Sequence, residues 1–464
     1  MSADSGLQVL RKYDWRVPRY TSYPPAPFFN QSPEEAGTGD MLDRSNRIGP
    51  SHASFYFHIP FCPRRCLFCG CHTEIGKSGS AIRDYLAAID AELDILLPRL
   101  HSNRSVTQIH FGGGTPNSIP FSGLEGLLDK IRANMRMEAG AEIAIECDPN
   151  LLSVEKIGKL GGMGFNRLSI GIQDFDERVL AAVNRRLPKT PPAEIFRAAK
   201  DSGFSGNNLD LIYGLPLQTA ASFRTAIEKA VAAGPDRISL FPYAHVPWVK
   251  GHQSRLQDLP MAKAEERLDM AWESREALLG AGYAAIGMDH FAKPEDELAV
   301  AAAHHGLRRN FQGYCTSARA GQVYGLGASA ISQLHEGYIQ NAKDLDRYIA
   351  AISAGRLPHH NAYRMWPIDI AVREIINDLL CEGWARPSDS LAAAGIPEPE
   401  ISGYLGDCSA KLRPLMDDGL AVMGQDTVRL TEMGHFASRA VASVFDPMQH
   451  AARSVSLPRY SQAL

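Results

Sequence analysis

Phe55-Tyr56-Phe57-His58-Ile59-Pro60-Phe61-Cys62-Pro63-Arg64-Arg65-Cys66-Leu67-Phe68-Cys69-Gly70-Cys71-His72 is the stretch on which the reading of this chain turns. Its first part is a short apolar run of the kind that forms a buried strand. Its second part is a tight loop with cysteines spaced Cys62-x3-Cys66-x2-Cys69. Three thiolates on one loop can hold an iron–sulfur cluster incompletely. A [4Fe–4S] cluster with four protein thiolates is usually an electron carrier, and one with three leaves an iron open to a small ligand. A structural zinc site would want four Cys or His ligands in a closed tetrahedron. Cys71 and His72 could complete one, but no second cysteine pair follows. A disulfide framework fits less well, because eight cysteines in 464 residues are sparse and Cys147, Cys315, Cys381 and Cys408 are scattered singly.

Outward from this stretch, between about residues 51 and 290, short β-rich runs alternate with longer helical patterns. The expected strands are Phe55–Pro60, Val106–Phe111, Glu142–Cys147, Arg167–Gln173, Leu209–Tyr213 and Arg237–Tyr243. Segments such as AIRDYLAAIDAELDILLPRL and SFRTAIEKAVAAG lie between them, with apolar residues at three- and four-residue spacing. Such alternation predicts an α/β fold with a parallel sheet and helices outside. Six units fall short of a closed eight-unit barrel, so a partial (β/α)6 barrel of TIM type is expected. Right-handed crossovers would place the strand C-termini on one face, where barrel chemistry is built. The cysteine loop, Gly112-Gly113-Gly114-Thr115-Pro116, Glu146, Gln173-Asp174 and Tyr243-Ala244-His245 all fall at that edge, and Asp210 lies within the fifth strand.

The chain divides into an irregular N-terminal arm (1–50), the barrel core (51–290), a barrel extension and connection (291–350) and a mainly helical C-terminal domain (351–464). The last shows IAVREIINDLL and AKLRPLMDDGL, then the strand-like pair AVMGQ and TVRLT, a winged-helix flavour. It carries no basic face, so a lid over the barrel is expected rather than DNA binding. Basic and acidic residues number 48 and 52, a net charge of −4, which does not suggest a nucleic-acid binder. The segment MSADSGLQVLRKYDW lacks an apolar leader core and no run of about 18 apolar residues occurs, so a cytoplasmic protein without a membrane span is expected. Reduced thiols suit that compartment.

The glycines at 112–114 would let backbone amides approach a ligand, although a tight turn explains such a run as well. Glu146 and Asp210 are carboxylates set among apolar strand residues, where charge is costly without a partner. A cationic ligand with hydroxyl groups would supply one; a structural ion pair is the plainer alternative.

The cysteine loop with Phe68 before its third cysteine resembles the signature of the radical S-adenosylmethionine (AdoMet) enzymes. Taken together, RYTSYPP, YFHIPFCPRRCLFCGCH, IHFGGGTP, ECDPN, LSIGIQDF, AVNR, NLDLIYGLP, YAH, GMDHFA, NFQGY and GASAIS resemble the oxygen-independent coproporphyrinogen III oxidases of haem biosynthesis, the HemN type. The resemblance runs from about residue 11 to 340 and continues more weakly to the end. It implies that Cys62, Cys66 and Cys69 ligate a [4Fe–4S] cluster and that Cys71 does not. It also implies that Tyr56, Phe68, Gly113, Gly114, Thr115, Glu146, Gln173, Arg185, Asp210, Ala244 and Ile331 contact AdoMet, two molecules of which the family holds. Tyr56, Glu146 and Arg185 would be catalytic.

The implied reaction converts two propionates of coproporphyrinogen III to vinyl groups, giving protoporphyrinogen IX. A donor such as flavodoxin or ferredoxin and a monomeric state are expected. Arg16, Arg19, Tyr20 and Tyr23 would offer forks and phenols to the propionates, and removing residues 1–25 is expected to leave the fold intact. Asp210 is expected to face AdoMet and Arg185. Tyr363–Pro367 and Val444–Met448 fit the family less well, whereas the terminal RYSQAL is family-like. The rival reading is the HemW type, a haem-trafficking relative without oxidase activity. Two features oppose it: the cysteine at 71 and the long segment before the first strand.

Overall fold

The computed structural model describes residues 3–101 and 103–451; the terminal RYSQAL lies outside the described residues. All six expected strands form, as β1 (Ala53–Ile59), β2 (Ser105–Gly113), β3 (Arg136–Cys147), β4 (Arg167–Gln173), β5 (Gly206–Tyr213) and β6 (Arg237–Pro242). They pair in parallel in sequence order. The register Phe55 opposite Ile109 and Phe57 opposite Phe111 sets alternate side chains on opposite faces. Phe55, Phe57 and Ile59 are wholly buried in the main apolar cluster, and the Phe57 and Phe111 rings stack at 4.6 Å. Tyr56 and His58, between them, therefore point to the lumen face.

Six further strands widen the sheet to twelve. They are β7 (Ala284–Ile286), β8 (His290–Ala292), β9 (Gln322–Leu326), β10 (Ile331–Leu334), β11 (Gly337–Asn341) and β12 (His359–Arg364), and the order across the sheet is β12-β11-β10-β9-β1-β2-β3-β4-β5-β6-β8-β7. β9 runs parallel to β1, and β10 to β12 follow as an antiparallel meander. A partial barrel extended at both edges results. The helices Gly79–Leu96, Phe121–Asn134, Val154–Gly162, Pro192–Asp201 and Ala220–Ala233 carry the crossovers, and their leucine and isoleucine stripes bury against the sheet.

The N-terminal segment departs from the irregular arm expected. It holds a helix at Ala3–Arg11 and shorter ones at Pro33–Ala36 and Thr38–Arg44. Leu10, Tyr13, Tyr20 and Tyr23 are buried in a second apolar cluster with Ile375, Leu379 and Leu412 of the helices Pro367–Glu382 and Glu398–Asp417. The expectation that residues 1–25 are dispensable for folding is therefore corrected, since they supply part of that core. Aromatic side chains at 13, 20 and 23 bury far more area than a tethered tail would. The C-terminal part ends in a small antiparallel sheet of Trp384–Ala385, Ala421–Met423 and Val428–Leu430.

Candidate active site

The loop after β1 is held from several sides. Leu67 N donates to Val183 O at 2.9 Å, and Asn184 Nδ2 donates to Arg65 O at 2.7 Å. From the segment beyond β6, Gln253 Nε2 donates to Phe68 O (2.9 Å), His252 Nε2 to Cys69 O (2.8 Å) and Lys250 Nζ to Cys71 O (3.2 Å). Phe68 itself packs into the apolar cluster of Leu67, Val179, Val183, Leu215 and Tyr243. These contacts aim the three sulfurs without using them. His252, Gln253 and Lys250 have no signature in the sequence beyond following the YAH motif.

Each sulfur meets a donor. Thr115 Oγ1 donates to Cys62 Sγ at 3.2 Å, Arg185 Nη1 to Cys66 Sγ at 3.3 Å, and the Cys71 amide to Cys69 Sγ at 3.4 Å. The Cys71 hydrogen bonds pull the Cys69 thiol down to about 6 against the effect of burial. Burial pushes Cys62 up to about 11, with the neighbouring Cys69 and Cys66 adding to the shift. Among the described residues no three His, Cys, Asp or Glu side chains converge as one metal ion would need. A [4Fe–4S] cluster sets each thiolate on its own iron, so its ligands need not converge on a point.

Gly114 makes room for this loop, since a Cβ there would lie 2.5 Å from Pro60 O and 3.0 Å from Cys62 Sγ. Gly113 has φ +110° and faces the His58 ring. The glycines are thus required by the protein's own close packing, as well as leaving a ligand free approach.

Behind the loop, His58 links the first strand to its end. Burial holds the His58 ring at about 4, so it is neutral. Its Nε2 lies 3.1 Å from His72 O, which can only accept, so Nδ1 accepts from the Tyr56 hydroxyl at 3.1 Å. Tyr56 is tethered in this way to the end of the cysteine loop. Ile331, in β10, is buried, and its backbone covers Gly325, the residue paired with Tyr56 across β1 and β9.

Glu146, next to last in β3, receives His110 Nε2 at 3.0 Å and the Gly113 amide at 3.3 Å. Burial alone would raise its carboxyl; these hydrogen bonds and the His110 charge hold it below the usual carboxylate range. Asp210 takes Asn208 Nδ2 at 2.7 Å and Ser169 Oγ at 3.3 Å, and burial raises it. The expected pairing of Asp210 with Arg185 is corrected: Arg185 follows a left-handed Asn184 (φ +58°) that turns it toward Cys66 Sγ and the Gly171 carbonyl. Gln173, at φ +73°, has a buried Oε1 with no hydrogen-bond partner among the described residues. Buried polar atoms are nearly always satisfied, so an open acceptor beside Arg185 marks a place for a donor group. Ala244 sits just past β6, between Tyr243 and His245, whose side chains bond each other at 2.9 Å.

Glu146 and Asp210 face a lumen cavity of about 370 Å³ that is also lined by His110, Asn208, His290 and Arg309. Asn310, Phe311 and Gln312 of the NFQGY motif line it too, although the motif by itself assigned them no role. The donor set, the open Gln173 acceptor and the two carboxylates suit a cluster beside a cationic, hydroxyl-bearing ligand.

A partial parallel barrel with three thiols after its first strand defines a class, and residues 56–230 match the family model described as the radical SAM superfamily. Over a longer span the chain is 36% identical to the oxygen-independent coproporphyrinogen III oxidase of Salmonella typhimurium, covering 96% of this chain and 95% of that protein. With the protein of the same name from Bradyrhizobium diazoefficiens it shares 38% identity over 93% and 94% of the two chains. The solved structure of coproporphyrinogen III oxidase (HemN) from Escherichia coli, a radical SAM enzyme, superposes with a TM-score of 0.86 at 33% identity, covering 93% of this chain and 99% of that one. The chain belongs to the oxygen-independent coproporphyrinogen III oxidase family.

Proposed function

We infer that this chain catalyses the oxygen-independent decarboxylation of two propionate side chains of coproporphyrinogen III to vinyl groups, giving protoporphyrinogen IX. The observation that carries this reading is the extent of the likeness, 96% of the chain, which takes in the N-terminal segment, the barrel and the C-terminal part together. Each propionate loses a β-hydrogen atom and carbon dioxide and gives up one electron to an acceptor. When bound, the cluster and AdoMet supply the electron and the 5′-deoxyadenosyl radical that starts this sequence.

The chain's own residues bind and orient. Cys62, Cys66 and Cys69 hold the cluster, and Cys71 positions Cys69 through its amide and thiol. Gln173 offers its open Oε1 to the AdoMet ammonium. Glu146 and Asp210 accept from ammonium or ribose hydroxyls and oppose the sulfonium charge. Arg185 lies between the Cys66 sulfur and Gly171 and fixes that side of the ligand. Tyr56, Gly113, Gly114, Thr115, Phe68, Ala244 and Ile331 shape the remaining walls, and Tyr56, Glu146 and Arg185 take the catalytic roles in this reading. Two AdoMet molecules are part of this reading. Orientation of the propionate and exclusion of water are the protein's contribution to rate.

Reduced flavodoxin or ferredoxin as donor, a monomeric state and a cytoplasmic location complete the proposal. No described helix is long and apolar enough to cross a membrane. The test is an anaerobic assay with coproporphyrinogen III, AdoMet and a reductant. Protoporphyrinogen and 5′-deoxyadenosine should appear together; haem binding without vinyl product would instead favour the haem-trafficking relative.

A further inference from the structure

A second cavity, of about 420 Å³, lies where the barrel, the N-terminal segment and the C-terminal part meet. Thr21, Phe241, Asp289, His290 and Arg309 line both it and the lumen cavity, so the two adjoin. Each volume falls in the range of small-molecule sites. Its walls are of two kinds. Leu240, Leu268, Met288, Phe291 and Phe436 form an apolar side, and Arg19, Arg275, Arg309 and Arg439 stand around the rest.

Four guanidinium groups and two carboxylates, Asp289 and Glu382, line the cavity. Glu382 is committed elsewhere, to the Leu307 amide at 2.8 Å, His305 at 3.1 Å and Arg308 at 3.6 Å. Asp289 bonds His290 at 2.7 Å, and the Arg309 and Arg19 charges also act on its carboxyl. Arg275 lies 3.4 Å from Glu276 and 3.7 Å from Glu432 and stacks over Phe436. Arg19 and Arg309 are tied mainly to backbone, Arg19 to Pro242 O at 2.9 Å and Arg309 to Tyr20 O at 2.9 Å. Arg439 is 7% exposed, and burial together with the Arg19 charge lowers it to about 10, although Asp289 and Asp14 act the other way. Burial lowers Arg19 as well, with the Asp289 charge opposing and the Arg309 charge adding. Like charges gathered in a poorly solvated cleft are costly, and an entering anion relieves that cost.

We propose that this cavity holds the carboxylates of the tetrapyrrole that are not reacting, with Arg19, Arg309 and Arg439 as their partners and the apolar side against the pyrrole rings. The proposal rests on the function inferred above and names the part of the molecule that reads the substrate. Coproporphyrinogen III carries four propionates and its product keeps two, so at least two carboxylates remain available as handles through both decarboxylations. A guanidinium fork suits a carboxylate better than a point charge does. The reacting propionate then reaches past Thr21 and His290 into the lumen, toward Glu146 and the cysteine loop.

The test uses the full-length, cluster-loaded protein under anaerobic conditions and two stable probes, coproporphyrin III and its tetramethyl ester, delivered from the same detergent. The free acid should bind at least about tenfold more tightly than the ester, since masking the carboxylates removes charge-assisted hydrogen bonds and leaves the rings. Arg439→Gln and Arg19→Gln should each weaken the acid about tenfold and leave ester and AdoMet binding unchanged, and Arg439→Lys should recover part of the loss. Equal affinity of the unaltered protein for acid and ester overturns the proposal, and needs no variant to fold. An Arg439→Gln protein that binds AdoMet normally and keeps full affinity for the acid overturns it too. Failure of the function itself reads differently: the acid is preferred, yet no vinyl product forms.

Discussion

The Cys71 amide lies 3.4 Å from the Cys69 sulfur, and the Cys71 thiol shares a hydrogen bond with the same atom. Cys71→Ser should therefore keep its iron, as measured by metal analysis, while turnover falls about 10–100-fold, the usual cost of losing a partner behind a metal ligand. Cys66→Ser should lose both iron and AdoMet cleavage, because one of three thiolates is gone. Iron loss in Cys71→Ser would make that residue a ligand. Gly114→Ala tests the loop from the other side. Its methyl would meet Pro60 O and Cys62 Sγ, so cluster absorbance should drop and stability should fall by about 1–3 kcal/mol. An alanine variant with full iron would show that the loop has room to spare.

The helix Gly79–Leu96 docks on the barrel through a buried carboxylate. Glu92 Oε2 accepts from the Gly327 amide at 2.8 Å and Tyr348 Oη at 2.6 Å, and Oε1 accepts from Asn341 Nδ2 at 2.7 Å. It joins that helix to the turn after β9, to β11 and to the helix Leu345–Ser353. Burial raises Glu92 from 4.5 to about 7 despite these donors. The folded state then keeps a proton that the unfolded chain has lost, so stability contributed here falls as pH rises through that window. Glu92→Gln removes the titration. Its melting temperature should vary less between about pH 5 and pH 7 than that of the unaltered protein, by a few degrees, while being lower overall because an amide donor meets donors. Identical pH slopes would show that Glu92 stays ionised in the fold.

Across the whole molecule, the end of the barrel opposite the cysteine loop is closed by ions rather than by apolar packing. Glu142 of β3 pairs with Arg319 at 3.1 Å and Arg167 at 3.3 Å, and Arg237 of β6 reaches Asp296 at 2.9 Å. Glu297 joins Arg319 at 2.8 Å and Arg237 at 3.1 Å. The Glu142 and Arg167 side chains are 14% and 11% exposed, so an unpaired charge there would be poorly solvated. Glu142→Gln should cost about 1–3 kcal/mol in denaturant unfolding, because Arg319 and Arg167 each lose one carboxylate while keeping Glu297. AdoMet binding per folded molecule should not change, since the network lies at the far end of the lumen. Burial raises Glu142, but Arg237, Arg167 and Arg319 outweigh it and hold the carboxyl low. Its contribution is therefore present above about pH 4.5 and is lost as pH falls through the lower folded value, opposite in sign to Glu92.

Residues near one another in the chain carried most of what could be read beforehand. The short β-rich runs located all six parallel strands, five to within three residues and the third starting six residues earlier than expected, because β propensity is a local property. The spacing of Cys62, Cys66 and Cys69 named a cluster loop for the same reason. The tertiary structure alone decided what depends on residues far apart. It folded Tyr13, Tyr20 and Tyr23 into the core of the C-terminal part, where the sequence alone suggests an irregular arm. Tyr20 Oη meets Asp446 at 3.0 Å across 426 residues, a contact no periodicity announces. It turned Arg185 to Cys66 rather than to Asp210, through one left-handed residue. The neutral His58 that tethers Tyr56, the open acceptor on Gln173 and the arginines gathered from Arg19 to Arg439 belong to the same kind. Burial and partner choice set the chemistry of a polar side chain, and both exist only once the chain has closed on itself.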